Sequence, residues 1–173
     1  MPTVTNQTYG TYVPVTVTNL QSLASDDIDP FTGWQSARID FQAAIKPVDV
    51  EFVFSLPTAA TAPAGSAVVV VYVVPWVLAA DGTTWIAGAN LGTTTLPTGV
   101  EGTASLSDPN SMRTARPAPY KIISQPINGY FSLAALFDGI VPDAVSLVLS
   151  NRTGAALSTG CVVAYKPITY THT

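Results

Sequence analysis

Apolar and polar residues alternate over short stretches of this chain, and turn residues interrupt the alternation at close intervals. In residues 13–18 (VPVTVT), Val13, Val15 and Val17 share one face. In residues 37–44 (ARIDFQAA), Ile39 and Phe41 lie on one side, and Arg38, Asp40 and Gln42 on the other. Residues 48–56 (VDVEFVFSL) alternate at first and then become apolar throughout. A period of two belongs to strands with one buried face. Residues 67–77 are apolar on both faces, as in a central strand covered on both sides. Five consecutive β-branched or aromatic residues, 69–73, favour strand over buried helix there.

Turn chemistry joins these stretches. Asp81-Gly82 predicts a hairpin between the central strand and residues 83–86. Asn128-Gly129 predicts a type I′ turn between residues 120–127 and 130–134, because both residues tolerate positive φ. Residues 145–150 (VSLVLS) alternate, residues 161–165 (CVVAY) read as the last core strand, and Asn151-Arg152-Thr153-Gly154 connects them. Helical periodicity is nearly absent. The expectation is an all-β chain, a single jelly roll or β-sandwich of about eight to ten strands. Residues 1–30 read as an extended N-terminal arm and leading strand, and residues 31–173 as the sandwich domain. Within the arm, residues 1–11 are polar and extended, and residues 57–65 (PTAATAPAG) read as a loose loop.

Composition narrows the class. The chain has 173 residues, enough for one domain with a real core. Charged residues are 10% of it, less than half the usual share of about 25%. With 47% hydrophobic residues and a mean hydropathy of +0.34, that is not the composition of a disordered chain. So bare a surface is expected to be Thr/Ser-rich or covered by partners. Seven basic residues against eleven acidic ones, with a net charge of −4, argue against nucleic-acid and anionic-membrane partners. The N-terminus shows no basic-then-apolar leader, and the longest apolar stretch is too short for a span and carries Pro75. The Asn6 and Asn151 sequons read as chance matches in a Thr-rich chain.

Candidate chemistry is sparse. His172, the only histidine, reads as a frayed tail residue, and Cys161, the only cysteine, as a buried inert thiol. One of each excludes the usual Cys/His zinc sites. Asp26-Asp27-Ile28-Asp29-Pro30 offers oxygens but lacks the spacing of a calcium loop, so a solvated turn is expected. Trp34 (in FTGWQ, read as a loop), Trp76 and Trp85 suit a sugar-binding platform or, more simply, core and sheet-edge filling. Residues 112–121 (MRTARPAPYK) carry Arg113 and Arg116 and read either as a docking segment for an acidic surface or as a long loop. No catalytic motif is present, so the chain is expected not to be an enzyme and to need no cofactor or metal.

From Asp81 onward, three segments carry a resemblance: DGTTWIAGANLG, NGYFSLAALFDGIVPDAVSLVLSNRTGAALS and CVVAY. They resemble head decoration, or cement, proteins of tailed bacteriophages, most closely over residues 133–165. The resemblance implies a jelly roll bound outside the capsid, across capsomer boundaries. The implied partners are the major capsid protein and further copies of itself, as a homotrimer. The implied location is the outer surface of the virion, and no active-site motif carries over. An arm with free backbone groups can add to a neighbour's sheet edge. Val4, Tyr9, Tyr12, Arg113 and Arg116 are therefore the expected interface residues. The competing readings are a carbohydrate- or receptor-binding sandwich module, a tail or fibre component, and a jelly-roll coat protein of a small RNA virus. The last usually carries a basic arm, whereas no Lys or Arg precedes Arg38 here.

Overall fold

A computed structural model describes residues 5–25, 31–42, 45–58, 68–88, 97–106, 116–121 and 126–172. These residues form an all-β sandwich of two antiparallel sheets. The strands are β1 (Thr5–Tyr9), β2 (Val13–Pro14), β3 (Phe31–Gln35), β4 (Ile39–Asp40), β5 (Asp49–Leu56), β6 (Val68–Leu78), β7 (Trp85–Ala87), β8 (Gly102–Leu106), β9 (Arg116–Lys121), β10 (Ile127–Ser132), β11 (Ala144–Arg152) and β12 (Val162–His172). One helical turn, α1 (Leu133–Leu136), precedes β11. Among the described residues no helix is long and apolar enough to cross a membrane.

In the first sheet β12 lies between β5 and an edge formed by β1 and β2, and β10 closes the other side of β5. In the second, β11 lies between β6 and the β3–β4 pair; β9 and β7 flank β6, and β8 flanks β3. The chain changes sheet repeatedly: β2, β5, β10 and β12 stand in one sheet, and β3–β4, β6, β9 and β11 in the other. The resulting orders, β2-β12-β5-β10 and β4-β11-β6-β9, are the winding of a jelly roll, with β1, β7 and β8 added at edges.

The period-two pattern explains the core. β5 alternates strictly, burying Val50, Phe52, Phe54 and Leu56. These meet Val163 from β12 and Ile127 and Phe131 from β10. Val69, Val71 and Val73 of β6, Val145, Leu147 and Leu149 of β11, and Trp34 of β3 face them from the second sheet. Phe131 stacks on both Phe52 and Phe54, with centroids 5.0 and 5.6 Å away. β11 is buried on both faces except at its last residue, as a strand in the middle of the wider sheet should be.

Several sequence expectations are corrected. Asn128-Gly129 is no turn: both residues lie inside β10, opposite Ser55 and Phe54. FTGWQ is strand β3, not a loop, and Trp34 is fully buried. Of the strand expected over residues 37–44, only Ile39–Asp40 is strand among the described residues, and Ser36 just before it bonds to β11 through both backbone and side chain. Its backbone N–H donates to the Leu147 carbonyl, and its hydroxyl takes the Leu147 N–H at 2.9 Å. The strand at residues 13–18 shrinks to Val13–Pro14. Residues 116–121 are not a loop but β9, an edge strand on β6. The last strand runs on to His172, whose backbone pairs with Thr5.

Candidate functional site

The outer face of the first sheet exposes several aromatic and apolar side chains. On β12, Val163, Tyr165 and Pro167 pair with the inward residues Phe54, Phe52 and Val50, so Val162, Lys166 and Tyr170 point outward. By the same register Glu51 of β5, Tyr130 of β10 and Tyr9 of β1 lie on this face. Tyr9 is 57% exposed and Tyr130, at the opposite edge, 75%. Tyr12, Val162 and Tyr170 are about half exposed.

Lys166 organises one side of that face. Its ammonium donates to Glu51 Oε2 at 2.8 Å and sits 5.0 Å from the Tyr9 ring centroid and 5.1 Å from that of Tyr12. A cation over two ring faces is attracted by both quadrupoles. The Glu51 carboxylate, chiefly through this hydrogen bond, raises the Lys166 pKa, so the cation persists. The result is a fixed, near-neutral, tyrosine-bearing surface, suited to covering by a partner, since interface cores favour Tyr and avoid unpaired charge.

Of the expected interface residues, the structure brings Tyr9 and Tyr12 together around Lys166. Val4 and Arg113 lie outside the described residues, and of Arg116 only the strand backbone is described, in the other sheet. The expected arm is in part committed: Thr5–Tyr9 pairs with Ile168–His172 of its own chain. The acidic cluster at residues 26–30 and most of the loop at 57–65 also lie outside the described residues.

The three indoles do not form an exposed platform. Trp34 is in the core, Trp76 is buried with its N–H donated to Ser146 Oγ at 2.9 Å, and half-buried Trp85 holds the Arg38 guanidinium 4.4 Å from its ring centroid. Among the described residues no group of three His, Cys, Asp or Glu side chains could hold a metal ion. Cys161 is buried, and burial pushes its thiol up to about 11, the opposite of an activated nucleophile.

Two polar clusters that no motif announces hold the loops. Glu101 accepts from the Trp34 indole at 2.7 Å and from the Asn19 backbone and side chain at 2.7 and 2.6 Å. Asn151, wholly buried, donates to the Leu23 and Ala155 carbonyls at 3.0 and 2.9 Å and accepts from Thr153 N–H at 3.2 Å. That sequon therefore has no accessible amide for a glycan. Comparison of the chain with known protein families, with curated proteins and with solved structures finds no match to any of them.

Proposed function

We propose that this chain is a structural protein of a virus particle and works by surface contact rather than catalysis. The observation that carries the reading is the complete eight-strand jelly-roll winding, an architecture of viral capsid and lectin domains. It is joined to a charge-poor face bearing Tyr9, Tyr12, Tyr130 and Tyr170. A lectin-like use of the Trp residues is disfavoured by the burial of Trp34 and Trp76 and by the Arg38 guanidinium over the Trp85 ring. The resemblance at residues 133–165 supports a more specific reading: a decoration protein outside a tailed-phage head that bridges capsomers as a homotrimer bound to the major capsid protein. Bridging adds buried area that exists only in the assembled shell, and so stabilises it by mass action. A second reading, a shell-forming coat subunit, is favoured by the same strand order, which needs no pre-existing surface to act on.

Sedimentation separates the two. A decoration protein stays dispersed alone and pellets with tailed-phage capsids that lack their own decoration. A coat subunit pellets alone as closed particles. Protein that stays in the supernatant under both conditions refutes the virion reading.

A further inference from the structure

A cavity of about 290 Å³ opens where β12 faces the crossing from β4 to β5. Its walls are ring-shaped: Phe41 and Pro47, both buried, and Tyr165 and Pro167 of β12. Phe41 and Tyr165 meet edge to face, with centroids 5.8 Å apart at 75°, so each ring fixes the other. Two apolar residues line it that the fold leaves exposed: Val13 at 37% and Ile45 at 61%. Such residues around a concavity are the usual lining of a ligand site.

The polar lining is asymmetric. Asp40 lines the cavity; its Oδ1 accepts only the Gln42 N–H, at 2.8 Å, and no cation pairs with it among the described residues. The nearby ammonium, Lys46, is held 2.6 Å from Asp143 Oδ1. Asp143 adjoins the same strand end, since Phe41 N–H donates to its carbonyl and Ala144 pairs with Asp40. Asp40 is therefore the one charged residue of the lining, and the neighbouring Lys46 is already paired with Asp143. Burial raises the Tyr165 pKa, so its hydroxyl stays a neutral donor.

We infer that this cavity binds a small organic cation, an arylalkylammonium, with its ring against the wall of Phe41, Tyr165 and the two prolines and its ammonium at Asp40. The volume sits at the lower end for small-molecule sites, about 300 Å³, which suits one ring on a short chain. An anion of the same shape meets the Asp40 charge and is rejected. The inference stands apart from the virion reading, because it concerns the isolated chain.

The test is an NMR titration of the ¹⁵N-labelled protein with phenethylamine, 2-phenylethanol and 3-phenylpropionate. The expected result is saturable shifts at the Val13, Ile45 and Thr169 amides. The amine should bind about two- to fivefold more tightly than the alcohol, the gain typical of one partly exposed ion pair. The acid should bind least. N-acetyl-lysine methylamide, an ammonium without a ring, should bind more weakly than phenethylamine. Asp40→Asn, which keeps the acceptor for Gln42, should abolish the preference for the amine and leave the alcohol unchanged. Val13→Phe, which fills the mouth, should weaken all three phenyl probes. Shifts elsewhere on the protein, equal binding of amine and alcohol, a preference that survives Asp40→Asn, or a lysine amide that binds as well as phenethylamine would each overturn the inference.

Discussion

Glu101→Ala is the substitution with the clearest structural arithmetic. The Trp34 side chain is wholly buried between the sheets, yet its one polar atom, Nε1, reaches Glu101 Oε1 at 2.7 Å. The same carboxylate ties down the loop after β2 through two bonds from Asn19. Alanine leaves the indole N–H without its acceptor, at about 1–3 kcal/mol for a buried unsatisfied donor. The exposed Asn19 bonds, remade with water, add about 1 kcal/mol. The expected loss is about 3 kcal/mol. With a urea m-value of about 2–3 kcal/mol/M, the midpoint should fall by about 1–1.5 M with m unchanged. Trp34→Phe removes the donor, so Glu101→Ala in that background should cost about 1–2 kcal/mol less. An effect under about 0.5 kcal/mol, or full additivity of the two substitutions, would refute the reasoning.

Three further outcomes follow from buried or tightly bonded groups. Asn151→Asp sets a carboxylate against the Leu23 and Ala155 carbonyls it now donates to, and should destabilise by about 3–5 kcal/mol, read as a lower thermal midpoint. Asp81 is held at about 2, below its ordinary 3.8, by the Thr84 hydroxyl and the Thr84 and Thr83 N–H groups. Its contribution to the β6–β7 turn is therefore full above about pH 4 and is lost as the pH falls towards 2; a carboxyl ¹³C titration with a midpoint near 3.8 would contradict this. Cys161, at about 11 against an ordinary 9.0, should react with a disulfide reagent at pH 8 only after unfolding, and its contribution to stability should decline as pH rises from 9 to 11.

The long strands were legible because one-sided burial imposes a period of two. β5, β6 and β11 fall within a residue or two of the apolar runs at 48–56, 67–77 and 145–150, and Asp81-Gly82 is a turn, with Gly82 at φ 71°. Local signals failed where pairing outweighed them. Asn128-Gly129 has the chemistry of a turn, but continuing β10 lets Phe131 stack on Phe52 and Phe54. FTGWQ has Gly33 and two polar residues, so no alternation marks it, and it becomes a strand because β8 and β11 supply partners on both sides. The tyrosine face was half legible: Tyr9 and Tyr12 lie close together in sequence, but Lys166, Glu51 and Tyr130 join them only through strand register. The Asp40 cavity had no sequence signal, since its walls come from segments more than a hundred residues apart.

The central claim is tested most directly by electron cryo-microscopy of the purified chain, imaged alone and after mixing with decoration-free tailed-phage capsids. The account predicts ordered jelly-roll density on a shell. Density on the added capsids places the protein as decoration, with the face of Tyr9, Tyr12 and Tyr130 covered. Closed particles formed by the chain alone place it as a coat. Bare capsids and dispersed protein in both samples would contradict the account.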